Sequence, residues 1–246
     1  MTQIPLLDVT VLHEMDSTLS FDGADLKRIA RGDDGHDYAC KRMQDGPAIP
    51  LCEWVGHHLW RACGLLTPEC AVLHYPDDAP PAFGSRLELL ASQVVPDAVS
   101  YTIVQFFREH LPALSRCYPL DAFFANPDRH GRNFLARPSL TGHDDLLAID
   151  WSRAWIANGQ PFGSEDVMHT GHSRQWWNFF RDSMRAPVNC SALDTLLALD
   201  GDWLAAILHA APAAWRSPFD TDSIIEFWHD KRHARADFAR QWTTQP

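Results

Sequence analysis

The stretch "ANPDRHGRNFLARPSLTGHDDLLAID", Ala125 to Asp150, decides how the whole chain is read. Asn126-Pro127 opens it as a turn, two short apolar runs follow, and polar residues stand at the outer ends of those runs. The pattern predicts a strand over 133–137, a connection over 138–145 and a returning strand over 146–150. In a symmetrical register Asn133 lies opposite Asp150 and Arg137 opposite Leu146, which brings a carboxamide and a carboxylate to a common ion. Mg²⁺ prefers oxygen ligands and fills the rest of its shell with phosphates and water, so Asn133 and Asp150 suffice as the protein's share. Asp128 places a further carboxylate near the same centre, suited to accept a hydrogen bond from an attacking hydroxyl. Taken alone, "NPDRHGRN" is also an ordinary polar loop between a helix and a hairpin. The second Asp at the end of the return strand and the content of the N-terminal part tip the reading toward chemistry.

That N-terminal part alternates apolar runs with turn signals: "VTVLHEM", "LKRIAR" and "HDYACKRM", separated by "DSTLSFDGAD" and "GDDG". This spacing predicts an antiparallel β-meander with Arg31 and His36 near each other across a tight turn and Lys41 late on the third strand. From Pro50 the period lengthens, with Leu51, Val55, Leu59 and Cys63 at four-residue steps, and a helix is expected to run to about Cys63, stopped by Gly64. Glu53 falls in the first turn of that helix, where it supplies an ion-pair partner for Lys41 across a cleft. The blander readings are a solvated strand lysine and an acidic residue facing the helix dipole. Lysine is scarce, however: only Lys27, Lys41 and Lys231 occur among 21 basic residues. The run "CAVLHY" predicts a fourth strand, and "DDAPPAFGSRLE" a loop leading to a short extended segment. The β-rich part is expected to end near 88–95, and helices to dominate beyond it: "AVSYTIVQFFREHL", "ALSRCYPLDAFFA", "SRQWWNFFRDSM", "CSALDTLLAL", "GDWLAAILHAA" and "TDSIIEFWHDKRHARADFARQW". A small β-rich lobe joined to a larger helical lobe would leave a cleft between them.

Composition bounds the function. The 246 residues, 46% hydrophobic, suffice for one large core or two lobes sharing a cleft. A net charge of −11 argues against direct nucleic-acid binding. No run approaches the roughly 20 apolar residues that a membrane helix needs, so no membrane partner is expected. The six cysteines form no C-x-x-C pair and the N-terminus lacks a signal-peptide pattern, which makes the cytoplasm the simplest compartment. His57, His58, His130, His169 and His172 invite a zinc reading, but no third and fourth ligand appear at supporting spacing. His130 is better read as hydrogen-bonding or packing within its loop. The ten tryptophans, Trp176, Trp177, Trp203 and Trp228 among them, are read as packing residues before a stacking platform. The charges of "HDKRHARADFAR" are read as a solvated helix face.

Together these residues resemble the HipA-like branch of the protein-kinase-like superfamily, related in architecture to phosphatidylinositol kinases. The resembling parts are "YACKRM" at 38–43, "CEWVGHHLWRACGLLTPECAVL" at 52–73, "FGSRLE" at 83–88, "NPDRHGRNFLA", and "LLAIDWSRAW" up to Trp155. The resemblance implies an α+β, two-lobed protein-kinase-like fold, with a small antiparallel β-rich N-lobe over 1–90 and a larger helical C-lobe over 91–246. It implies an ATP- and Mg²⁺-dependent phosphotransferase acting on Ser or Thr hydroxyls of a protein substrate. Lys41 then resembles the phosphate-binding lysine, Glu53 its helical partner, Asp128 the catalytic aspartate, Asn133 the metal-binding asparagine and Asp150 the principal Mg²⁺ ligand. No G-x-G-x-x-G is present, so the phosphate-covering loop falls to "DSTLSFDGAD", with Gly23 permitting close approach and Ser17, Thr18 or Ser20 offering hydroxyls. Ser85, Arg86 and Leu87 of "FGSRLE" fall at the adenine-binding hinge. "IDWS" stands where ordinary eukaryotic protein kinases carry "DFG", and Cys52 stands where the family often has Asn before the helical Glu. Readings within the same fold are a kinase for a lipid headgroup or small metabolite, and a nucleotide-binding pseudokinase serving as an interaction module. Family analogy adds an antitoxin-like or regulatory protein partner and a toxin–antitoxin role.

Overall fold

A computed structural model describes residues 7–16, 28–87, 92–93, 105, 108–139, 144–154 and 165–245. Ser17, Thr18, Ser20 and Gly23, the expected phosphate-covering loop, and most of the expected boundary at 88–95 lie outside the described residues.

The chain begins with β1 (Asp8–Asp16), β2 (Arg28–Gly32) and β3 (Asp37–Lys41), the antiparallel meander expected from the alternation. Gly35 adopts φ +82° in the β2–β3 turn, a conformation that glycine enters without a Cβ penalty. The turn pairs Arg31 with Asp37, their side chains 3.0 Å apart, where Arg31 and His36 were expected as neighbours. β4 (Cys70–His74) and β5 (Ala82–Arg86) then close the sheet into a barrel in the order β1-β2-β3-β5-β4, with β1 parallel to β4. Two features differ from the sequence reading. The stretch read as a loop carries β5, paired on both sides, and the meander is closed on itself by a parallel contact. A five-stranded barrel has little interior, and its filling is correspondingly small: Val9, Val11, Ala30, Cys40, Ala71, Leu73 and Ala82 around Tyr38. Gly84 belongs to the same economy of space, since a Cβ there would sit 2.8 Å from Leu73. Alternation turns Cys40 into this barrel and Lys41 out of it, toward the first helix.

α1 (Ile49–Ala62) carries Pro50 in its first turn and ends as Gly64 enters the left-handed region at φ +72°, with the Leu65 N–H donating to Trp60 O at 2.9 Å. Residues all round it are buried, because it lies between the outside of the barrel and the helical part. A single core runs from Val72 and Phe83 of the barrel through Leu51, Val55, Leu59 and Trp60 of α1 into the helices that follow. Glu53 is the fifth residue of α1, beyond its first turn, so it is not the dipole partner that the blander reading allowed.

β6 (Ser92–Gln93), β7 (Phe134–Arg137) and β8 (Asp145–Ala148) form a three-stranded antiparallel sheet. Between β6 and β7 runs α2 (Leu111–Phe124), which stops at Ala125 with φ +50° and delivers the chain to the Asn126-Pro127 turn. The helices that follow are α3 (Val167–Thr170), α4 (His172–Met184), α5 (Ser191–Leu197), α6 (Trp203–Ala210), α7 (Ala213–Arg216) and α8 (Thr221–Thr244). The short α3 and α7 carry too few residues to show a period and were not expected. α8 closes over α2: buried Arg235 donates to Phe123 O at 2.9 Å and Ala122 O at 3.0 Å, satisfying carbonyls at the end of α2. Trp54, Trp60, Trp177, Trp215, Trp228 and Trp242 are buried, and the indole N–H groups of Trp54, Trp177 and Trp242 donate to the main-chain carbonyls of Ile207, Thr243 and Met168, on helical segments distant in sequence. Packing is therefore their use, as read. No helix among the described residues is long and apolar enough to cross a membrane.

The 134–148 hairpin corrects the expected register by one residue. Arg137 pairs with Asp145, not Leu146, and Phe134 with Ala148. The Arg137–Asp145 ion pair at 3.0 Å fixes this alignment, and it places Phe134 and Ala148 together in the core. The connection is one residue shorter than turn formers alone suggested, because Asp145 serves the strand. Asn133 closes a 3-10 turn, Gly131–Asn133, and its carbonyl accepts the Ile149 N–H at 3.1 Å. Asp150 thus lies one position beyond the residue facing Asn133.

Candidate functional site

Asp150 follows β8 with φ +65°. The left-handed region costs an L-residue roughly 1–2 kcal/mol, least for Asn and Asp, so the conformation marks a constraint. It turns the chain back on itself: Oδ1 of Asp150 accepts from Ser152 Oγ at 2.6 Å and Ser152 N at 3.2 Å. The same oxygen accepts from Lys41 Nζ at 2.7 Å, and Lys41 also donates to Glu53 Oε1 at 2.7 Å. One ammonium at the end of β3 thereby joins α1 to the end of the hairpin. Glu53 Oε1 accepts in turn from the Trp151 N–H at 2.9 Å. Gly56, one helical turn on, faces the Trp151 ring, which a Cβ there would meet at 2.4 Å. The closeness of α1 to 150–152 is thus written into a missing side chain.

Electrostatics divide the roles. The side chains of Lys41, Glu53 and Asp150 retain 14%, 3% and 19% exposure, so their charges interact through a poorly screened medium. Burial alone would neutralise all three. For Lys41, the carboxylates of Asp150 and Glu53 outweigh burial and hold the ammonium well above its usual range. For Asp150, Lys41 and the Ser152 donors outweigh burial and hold the carboxyl well below its usual range. Glu53 yields: burial and the nearby Asp150 charge raise it to about 7 against the pull of Lys41. Among the described residues no hydrogen bond reaches Asp150 Oδ2, which leaves that oxygen for a ligand.

Asn133 is buried and donates Nδ2 to the Asp128 carbonyl at 2.8 Å, which leaves Oδ1 as its acceptor. The two halves of the site are joined by Arg129, which sequence reasoning passed over. Arg129 is wholly buried and forms a bidentate pair with buried Asp121 of α2, Nε to Oδ2 at 2.9 Å and Nη2 to Oδ1 at 3.1 Å. Its Nη1 donates to Asn133 O at 2.9 Å and to Ile149 O. The guanidinium also lies over the rings of Phe134, Trp151 and Trp60, at 5.2, 5.5 and 5.7 Å. One side chain therefore holds the 126–133 loop to the segment carrying Asp150. Both partners show the effect of their union, since Asp121 outweighs burial and keeps Arg129 fully cationic, whereas burial exceeds the pull of Arg129 and raises Asp121.

Asp128 is bounded by later segments. Its Oδ1 lies 2.7 Å from His172 Nδ1 and its Oδ2 lies 3.4 Å from Arg153 Nε. The beginning of α4 is stapled to the loop by the neighbours of His172. Ser173 N–H donates to Pro127 O at 2.9 Å, Ser173 Oγ donates to Asn126 O at 2.6 Å and the same oxygen accepts the Arg129 N–H at 2.7 Å. A Cβ on Gly171 would sit 2.3 Å from Pro127 O, so only glycine fits there. His130 accepts the Arg132 N–H on Nδ1 at 3.2 Å, the local role expected of it. His57 is hydrogen-bonded to Thr67 at 3.1 Å. Of the expected hinge, Ser85 and Arg86 lie in β5 between two partner strands. The Arg86 N–H donates to Glu69 O and the Leu87 N–H to Asp37 O, both at 2.8 Å, so both of these backbone donors are engaged within the fold.

The geometry thus brings Lys41, Glu53 and Asp150 into direct contact, and connects Asp128 and Asn133 to them through Arg129. Asp121, Arg129, Gly171 and Ser173 are the supporting residues that local spacing could not reveal. No protein-family model matches the sequence, and no curated protein matches it. Among solved structures, the fold is similar to that of the Helicobacter pylori proinflammatory kinase CtkA. That likeness has a TM-score of 0.53 at 17% identity and covers 97% of this chain and 98% of that one. HipA of the Shewanella oneidensis MR-1 toxin–antitoxin system, solved with HipB and operator DNA, gives a TM-score of 0.47 at 11% identity. That comparison covers 86% of this chain, which spans 61% of the HipA chain. At 17% identity the likeness to CtkA is one of fold: a mixed α+β chain with a kinase-like architecture.

Proposed function

We propose that the protein is an ATP- and Mg²⁺-dependent phosphotransferase that acts on Ser or Thr hydroxyls of a protein, organised as a β-rich nucleotide lobe over 1–90 and a helical lobe over 91–246. The observation that carries this reading is the single ammonium of Lys41 held 2.7 Å from both Glu53 and Asp150, residues 12 and 109 positions away. An ion-paired lysine poised beside a carboxylate is what phosphoryl transfer requires: a fixed positive charge for phosphate oxygens and, in Asp150, a group that would hold the metal ion neutralising them. The donor set fits Mg²⁺, since the Asp150 carboxylate and the Asn133 Oδ1 are hard oxygen ligands. When bound, Mg²⁺ would neutralise phosphate charge and orient the terminal phosphoryl group.

The chain's own residues supply the rest. Lys41, kept cationic by its two carboxylates, takes the phosphates. Glu53 fixes the lysine and shares its proton load. Asp128 accepts the hydrogen bond of the acceptor hydroxyl and orients it for in-line attack. Arg129 keeps Asn133 and Asp150 at a constant separation by binding carbonyls on both segments, so the ligands are preorganised. The protein partner is the acceptor substrate, with an antitoxin-like regulator as a further partner by analogy with the HipA complex.

Incubation with γ-labelled ATP and Mg²⁺ tests this. Phosphoprotein should appear, disappear in Asp150→Ala, and form on the order of 10²–10⁴ more slowly in Asp128→Asn. Equal labelling in Asp150→Ala refutes the assignment. Label on a lipid headgroup or metabolite alone moves the substrate class, and ATP binding without transfer to any acceptor identifies an interaction module.

A further inference from the structure

Asp128, His130 and His172 each present one ligand atom, and these atoms all lie within 4.8 Å of one another. Spacing along the chain hid this group, because two members come from the 126–133 loop and the third from the start of α4. We propose that these three residues form a binding site for a transition-series divalent cation of the zinc class, separate from the oxygen ligands Asn133 and Asp150.

Three observations carry it. The first is preorganisation, since Ser173 and Gly171 lock the neighbours of His172 onto Pro127, Asn126 and Arg129, so the convergence does not depend on long flexible side chains. The second is access and adjustment. His172 and Asp128 keep 57% and 23% side-chain exposure, enough for an ion to enter and for the 2.7 Å His172–Asp128 contact to open to the roughly 3.3 Å between ligands of a tetrahedral zinc. The third is ligand chemistry. Two imidazoles and one carboxylate select zinc-class ions over Mg²⁺, which prefers an all-oxygen shell. Ligation through Nδ1 replaces the His172–Asp128 hydrogen bond, and His130 gives up its long contact with the Arg132 N–H if it too ligates through Nδ1. Arg153, 3.4 Å from Asp128 Oδ2 and 60% exposed, gives up that contact to the ion.

The consequence for catalysis rests on the reading of Asp128 as the acceptor's base: an ion on its carboxylate withdraws it, so zinc-class cations inhibit. The binding itself does not rest on that reading. The test is calorimetric titration of Zn²⁺ into the full chain, in excess Mg²⁺, with Co²⁺ as a spectroscopic probe. One ion should bind the wild type with visible d–d bands and no thiolate charge-transfer band, and His172→Ala should weaken it at least about tenfold. Zn²⁺ should stop phosphotransfer in the wild type at concentrations that His172→Ala tolerates. Equal affinity in His172→Ala, or a thiolate band, overturns the site. Specific Zn²⁺ binding in a protein with no phosphotransfer supports the site and overturns the kinase reading, whereas active phosphotransfer with no His172-dependent Zn²⁺ binding does the reverse.

Discussion

Arg129→Met isolates the residue that ties the two halves of the site together. It strips buried Asp121 of its bidentate partner, leaving that carboxylate with Asn126 Nδ2 at 2.9 Å and the Cys117 thiol at 3.7 Å. It also removes a donor from the carbonyls of Asn133 and Ile149. Breaking a buried pair by deleting one partner costs about 3–5 kcal/mol, a large share of the 5–15 kcal/mol that typically holds a domain. The deficit has a sign with pH. Asp121 is already raised by burial, and without Arg129 its value climbs further. A carboxyl raised in the folded state destabilises progressively as pH rises through the interval between its unfolded and folded values. The loss should therefore shrink as pH falls from 7 to 5. Adding Asp121→Asn to Arg129→Met removes the orphaned charge and should restore roughly 2 kcal/mol at pH 7. Urea unfolding of the wild type, both single variants and the double variant supplies all four corners of the cycle. A loss under about 1 kcal/mol in Arg129→Met, or no recovery in the double variant, would show that this pair is not what holds the loop.

Other perturbations follow from the same contacts. Glu53, raised to about 7 from an ordinary 4.5, keeps a proton that the unfolded chain has released between those values, so stability falls as pH rises across that window, by at most about 3 kcal/mol. Glu53→Gln keeps an acceptor for Lys41 and the Trp151 N–H, and should flatten the dependence of the unfolding midpoint between pH 5 and pH 8; an unchanged slope contradicts the assignment. Asp150, lowered by Lys41, loses its contribution only as pH falls below the ordinary carboxylate range, outside that interval. Gly56→Ala would place a methyl 2.4 Å from the Trp151 ring and should destabilise by about 1–3 kcal/mol in thermal melts, whereas a neutral result would show that α1 and the 150–152 segment are not in firm contact.

Legibility in the sequence followed the range of the interaction. Lys41, Glu53 and Asp150 could be found because each sits at a recognisable point of a local element, and because a lysine stands out where arginine is the common cation. Even there the hairpin register was read one residue off: turn formers mark where a chain reverses, but the Arg137–Asp145 pair decides where pairing begins. β5 was hidden by the Pro and Gly of its neighbourhood, which signal a loop locally while Gly84 in fact accommodates Leu73 inside a narrow barrel. The parallel contact of β1 with β4 is long-range and leaves no local mark. Arg129 and Asp121 looked like ordinary charged residues of a polar loop and a helix, since burial is not written in residue type. Ser173 and Gly171 meet the loop from more than 40 residues downstream, a distance that no spacing rule spans.

The proposed phosphotransfer requires that Asp150 and Asn133 bind a divalent cation beside the Lys41 ammonium, with nucleotide phosphates as its remaining ligands. Calorimetric titration of ATP with and without Mg²⁺, on the wild type, Asp150→Asn and Lys41→Met, tests it most directly. Mg²⁺ should strengthen nucleotide binding in the wild type, that gain should vanish in Asp150→Asn, and Lys41→Met should lower affinity for ATP itself. Nucleotide binding with the same Mg²⁺ dependence in Asp150→Asn as in the wild type would contradict the account.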